Sequence, residues 1–103
     1  MSTELCAAGH HIEIDDSRVL VDGIEKHLFP AALAILRVLA LQPGKVVARD
    51  TLMKVLPGRT NKPHAVDTAV LRLRAALGDD QIIRTVVKRG YRLAIDPPEA
   101  GED

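Results

Sequence analysis

With 103 residues, 47% of them hydrophobic, the chain has material for one small domain and one modest core, which makes a second domain an unneeded assumption. Fourteen basic side chains balance fourteen acidic ones, and a zero total taken alone argues against a nucleic-acid partner. No run approaches the roughly 18 apolar residues of a membrane span, and Met1 to Gly9 lacks the charged start and apolar stretch of a secretion signal.

In chain order, residues 1–9 read as a disordered lead holding Cys6, the single cysteine, so an intramolecular disulfide is excluded and a reducing, cytoplasmic setting is expected. The folded domain is expected over residues 10–96. His11-Ile12-Glu13-Ile14-Asp15 and Arg18-Val19-Leu20-Val21-Asp22 pattern as strands around Asp15-Asp16-Ser17, and Asp22-Gly23 is a two-residue hairpin signal ahead of Ile24-Glu25-Lys26-His27-Leu28. A small antiparallel sheet follows from these. Pro30 suits the first turn of a helix that is apolar almost all round through Leu33, Leu36, Val38, Leu39, Ala40 and Leu41 before Pro43-Gly44 stops it, which predicts the central buried helix. Arg49 to Leu56 predicts a shorter helix closed by Pro57-Gly58, and Leu56 to Ala65 a polar loop.

Val66 to Leu77 is the third predicted helix. Its spacing puts Val66, Val70, Leu73 and Leu77 on one stripe and turns Thr68, Leu71, Arg72 and Ala75 outward, and Gly78 suits the left-handed position after a helix. Two short β-type segments come next, with Val86 and Val87 before a turn of Lys88, Arg89 and Gly90, and Tyr91 to Ile95 after it. Residues 97–103 read as a disordered acidic tail. Phe29 and Tyr91 are the only aromatics, so the core must be aliphatic. The zero net charge conceals an uneven distribution. Residues 58–92 hold Arg59, Lys62, Arg72, Arg74, Arg84, Lys88, Arg89 and Arg92 against Asp67, Asp79 and Asp80, a local +5. A helix presenting arginine beside a basic hairpin suits a polyanion.

These residues carry a family likeness. Val66-Asp67, Val70, Leu73-Arg74 and Leu77-Gly78, followed by Ile83 to Val86 and Gly90 to Leu93, resemble the recognition helix and wing of the OmpR/PhoB-type winged-helix DNA-binding domain. That domain is the effector half of many bacterial response regulators of two-component systems. Leu28 to Leu33 and Gln42 to Leu52 are similar to the family's first helix, its Pro-Gly turn and the start of its second helix, so the resemblance covers residues 10–96. A looser likeness is to the winged-helix module that some actinobacterial proteins carry behind a uroporphyrinogen-III-synthase-like domain. The resemblance implies an α+β winged helix-turn-helix with an N-terminal antiparallel β-sheet, a three-helix core and a C-terminal β-hairpin wing. Its implied partner is double-stranded DNA, and it implies an N-terminal domain missing from a longer parent.

In a helix-turn-helix the second member enters the major groove while the first crosses the backbone. Arg72 is then the candidate base reader, since its fork can donate two hydrogen bonds to guanine O6 and N7; Arg74, on the flank, is better placed for a phosphate. Thr68 and Leu71 share the outward face, and Leu71 suits either a thymine methyl or the seed of a protein interface. Lys88 and Arg89 at the hairpin tip can reach phosphates or the minor groove, and Thr85 on the preceding strand joins the candidate set. The wing departs from the family, with Val87 where arginine is common and Lys88 and Arg89 where glycine and a small residue are common. Ala69 stands where histidine is frequent. Residues 56–65 lie where the family often touches RNA polymerase. Leu56, however, takes the usual tryptophan place, and the loop holds Arg59, Lys62 and His64 with no acid, so contact of Lys62 and His64 with phosphate stands beside polymerase contact.

Catalysis is the rival class. Asp15-Asp16 and Asp79-Asp80 are carboxylate pairs in predicted turns without a second partner, and no phosphate-cradling glycine loop or nucleophile elbow occurs, so an enzyme is not expected. Cys6, His10 and His11 lack the paired spacing of a structural zinc site, and no metal or cofactor is expected. The remaining alternative is a winged helix used for protein contact, appended to another domain.

Overall fold

The computed structural model describes residues 3–16, 18–58 and 62–95. A four-stranded antiparallel sheet comes first, β1 (Thr3–Ala7), β2 (His10–Ile14), β3 (Val19–Val21) and β4 (Ile24–Lys26), paired in chain order. The Asp22-Gly23 signal is realised as a two-residue turn with φ of 55° and 84°, the paired positive angles whose twist matches antiparallel strands. Period-two patterning buries Ile12 and Ile14 on β2 and Val19 and Val21 on β3.

β1 corrects the expected disordered lead. Thr3 to Ala7 runs against Ile14 to His10, Ala7 is fully buried, and it pairs with Ile95 while the Ala8 amide donates to the Ala94 carbonyl at 3.2 Å. Thr3-Glu4-Leu5-Cys6-Ala7 shows no alternation of apolar and polar residues. Its turn also places Ala8 at φ 52°, a left-handed angle that alanine rarely takes, so no local signal announces the hairpin. The expected acidic tail, residues 97–103, lies outside the described residues, as does Arg59.

Three helices follow, α1 (Pro30–Leu41), α2 (Arg49–Met53) and α3 (Pro63–Leu77). α1 has Pro30 in its first turn and buries Ala32, Ile35, Leu36, Leu39 and Ala40, as expected of the central helix. α2 is shorter than the predicted Arg49 to Leu56. Beyond Met53 the amides of Lys54, Val55 and Leu56 donate three residues back, to Thr51, Leu52 and Met53, so the remainder is tightened 3₁₀-like turn. α3 starts three residues before the predicted Val66, because Pro63 takes the first helical position, where a missing N–H costs nothing. The loop expected to run to Ala65 therefore ends at Lys62. At the other end Gly78 adopts φ 84° and its amide bonds the Arg74 carbonyl at 3.0 Å.

The wing is β5 (Ile83–Val86) and β6 (Gly90–Leu93), with Val86 opposite Gly90 and Val87-Lys88-Arg89 as the tip. It is tied to the body by an isolated antiparallel bridge between Val47 and Tyr91, closed by hydrogen bonds of 2.8 and 3.1 Å. Gly90 is required there, since a Cβ on it would lie 2.0 Å from the Val47 carbonyl oxygen. One core joins everything: Ile12, Ile35, Leu36, Leu39, Leu52, Val66, Val70, Leu73, Ile83 and Leu93 are all fully buried, and no polar or charged residue is buried among the described residues. Burial of each such side chain stabilises by roughly 1.5–3 kcal/mol before chain entropy is charged against it. The architecture is the α+β winged helix-turn-helix.

Candidate nucleic-acid interface

α3 packs against both α1 and α2 through Val66, Ala69, Val70, Leu73 and Leu77, which leaves the opposite face to solvent. On that face Leu71 is 66% exposed, Arg72 and Ala75 are exposed, and Thr68 is half-buried. The predicted outward set is therefore together on one surface. Arg72 makes no hydrogen bond or ion pair among the described residues, and its Cζ lies 5.2 Å from the centroid of the Phe29 ring at the start of α1.

Arg74, the expected phosphate contact, has partners within the domain. Its Nε and Nη2 donate to the Ile83 carbonyl at 3.0 and 2.8 Å, Nη2 also donates to Thr85 Oγ1 at 2.8 Å, and the guanidinium lies 5.8 Å from the Tyr91 ring centroid. Arg74 fixes the wing to α3, and Thr85 is its acceptor. Helical spacing gives the side of α3 on which Arg74 lies, but not the strand that comes to cover it.

A second brace escaped the sequence reading. The Tyr91 hydroxyl donates to Asp67 Oδ1 at 2.7 Å while Arg49 Nη2 donates to Oδ2, joining β6, α3 and α2 through one carboxylate. Burial first, and the carboxylate second, push the Tyr91 hydroxyl up to about 12, so it remains a proton donor at neutral pH. The Val66-Asp67 pair was the available signal. An open cleft lies between this brace and the wing, lined by Ala48, Arg49, Pro63, Lys88 and Arg89 among others.

The wing tip projects Val87, 78% exposed, with Lys88 and Arg89 also exposed. Lys88 takes φ 65° and the Arg89 amide closes the tip onto the Val86 carbonyl at 2.9 Å. Arg84 and Arg92, counted in sequence only as charge, stand directly opposite one another across β5 and β6. Like charges in that register oppose pairing, and an anion against them relieves the repulsion. Lys62 and His64 are exposed at the start of α3. The carboxylate pairs do turn work, Asp15 Oδ1 accepting from the Asp16 amide and Asp79 Oδ1 from the Gln81 amide. His10, also missed, is held between Asp22 (Nδ1, 2.6 Å) and Asp79 (Nε2, 2.9 Å).

Comparison with known proteins agrees with this geometry. Residues 23–93 match the family described as transcriptional regulatory protein, C terminal. The chain belongs to that family. Among relatives of the transcriptional regulatory C-terminal domain, the transcriptional regulatory protein CutR of Streptomyces coelicolor is 35% identical over 86 residues, covering 80% of this chain and 40% of CutR. The DNA-binding domain of Klebsiella pneumoniae RstA, solved in complex with the RstA box, superposes with a TM-score of 0.74 at 30% identity, over 90% of this chain and 96% of that one. The response regulator DrrB, a Thermotoga maritima OmpR/PhoB homolog, gives a TM-score of 0.72 at 32% identity, over 81% of this chain and 41% of that one. This chain spans less than half the length of the curated relatives it matches. Among the described residues no helix is long and apolar enough to cross a membrane.

Proposed function

We propose that this domain binds double-stranded DNA sequence-specifically, as the effector part of a bacterial transcriptional regulator. The observation that carries the reading is the outer face of α3, where an exposed arginine makes no hydrogen bond among the described residues, on a domain that also projects a basic hairpin tip and shares the scaffold that RstA presents to its box. Arg72 reads a base, and guanine suits its two-donor fork best. Lys88 and Arg89 track the phosphate backbone, with Arg84 and Arg92 relieved by it. Thr68 and Leu71 line the groove, Leu71 offering an apolar surface to a thymine methyl, and Lys62 and His64 approach the backbone at the start of α3. Arg74 and Thr85 support the interface by holding the wing against α3. As a regulator's effector, the domain works in the cytoplasm under the control of an N-terminal domain such as a receiver; RNA polymerase is the further partner for the segment before α3, and fusion to a porphyrin-synthase-like domain is the other parent architecture.

Selection of bound sequences from random duplexes at near-physiological salt tests the reading and should return a motif containing guanine. Arg72→Ala, which removes no core packing, should leave the melting temperature unchanged and weaken the selected site by about 1–3 kcal/mol relative to random DNA. Equal losses on both would make Arg72 a backbone contact. Absence of salt-dependent duplex binding would overturn the function and favour a protein partner at Leu71.

A further inference from the structure

Phe29 is out of keeping with its place. It holds the N-cap of α1, a position suited to Ser, Thr, Asp or Asn because their side-chain oxygens accept from first-turn amides, and here no side-chain cap is made. Its ring is 62% exposed, so it adds little to the core. Neither the helix end nor the packing accounts for an aromatic at this position. Its ring contact is the guanidinium of Arg72, with Cζ 5.2 Å from the centroid, and that guanidinium has no other partner among the described residues.

We propose that Phe29 is a specificity-determining residue, a flat platform on α1 that holds the Arg72 fork in place over the outer face of α3. A stacked guanidinium is contacted through its face, so its in-plane N–H donors stay available to the edge of a guanine. An unsupported arginine loses rotamer freedom when it binds, whereas one already resting on a ring loses less. Base choice is thereby sharpened from outside the recognition helix. The proposal deepens the DNA-binding reading and rests on it.

The test uses the whole chain as wild type, Phe29→Thr, Phe29→Tyr, Arg72→Ala and the Phe29→Thr/Arg72→Ala pair. Affinities are measured for the selected duplex, for the same duplex with its guanine replaced, and for random DNA, beside the melting temperature. Threonine restores a cap, so Phe29→Thr should melt no lower than wild type while its discrimination for the guanine falls roughly two- to fivefold, the worth of an exposed cation–π contact. Random-DNA affinity should not change, Phe29→Tyr should keep wild-type discrimination, and Phe29→Thr should cost nothing further once Arg72 is gone. Unchanged discrimination in Phe29→Thr, an additive loss in the pair, or discrimination falling only in step with the melting temperature would overturn the platform alone. Failure of the wild-type chain to prefer the selected duplex would overturn the DNA-binding reading with it.

Discussion

At Gly90 the backbone leaves no room for a side chain. With φ at 146° and the Val47 carbonyl oxygen 2.0 Å from where a Cβ would stand, the bridge between β6 and the residues before α2 exists only because this position is bare. Gly90→Ala should therefore destabilise by about 2–5 kcal/mol through backbone strain and overpacking, a loss of at least about 8 °C in melting temperature by differential scanning calorimetry. A shift under about 2 °C would mean that the bridge yields cheaply. Arg72 and Arg74 show what was legible at this scale. Helical spacing separated an outward arginine from a flanking one, which the structure bears out in exposure. That the flanking residue would spend its donors on Ile83 and Thr85 depended on a strand distant in sequence, and no local pattern reports such an approach.

Among the elements, the wing combines rigid attachment with a charged free tip. Its base is fixed by the Arg74 fork and the Val47–Tyr91 bridge, so Lys88 and Arg89 are carried on a stiff support. Replacing both with alanine should weaken binding to every duplex alike and flatten the plot of log affinity against log salt by about 1 unit for each phosphate left unneutralised, with sequence preference retained. A salt slope equal to that of wild type would remove the wing tip from the interface. Elements with local punctuation were readable: the stripe of α3 and its Gly78 stop, the Asp22-Gly23 hairpin, and the proline-led α1. β1 was not, because its buried residue, Ala7, meets Ile95 from the far end of the chain. The first turn of α3 carries no apolar stripe to mark it, since the stripe begins only at Val66, one turn after Pro63.

For the whole molecule, His10 is the clip between two parts of the fold, since it joins β2 to the β3–β4 turn and to the turn after α3. Each ring nitrogen faces a carboxylate oxygen, and only the doubly protonated ring can donate to both. The hydrogen bond to Asp22, then that to Asp79, hold the His10 pKa above its ordinary 6.5. Stability from the raised histidine is complete below pH 6.5 and fades as pH rises through the folded value. Asp22 is held below its ordinary 3.8 chiefly by His10, and Asp79 chiefly by the Gln81 amide and then by His10; their contribution is present above 3.8 and lost as pH falls through the lowered values. Between these limits the clip is at full strength. The melting temperature of wild type should therefore fall relative to His10→Gln as pH is taken from 6 to 9, and parallel profiles would show that the clip carries no charge. The pairing of Ala7 with Ile95 has a consequence for how such a molecule assembles. It closes a loop of nearly the whole described chain, and the entropy lost on closure is recovered only when both ends already have a surface to land on. The local β1–β2 hairpin and the packed helices supply that surface. The long-range cost falls on the Ala7–Ile95 bridge and not on β1 as a whole, whose pairing with β2 is a local hairpin.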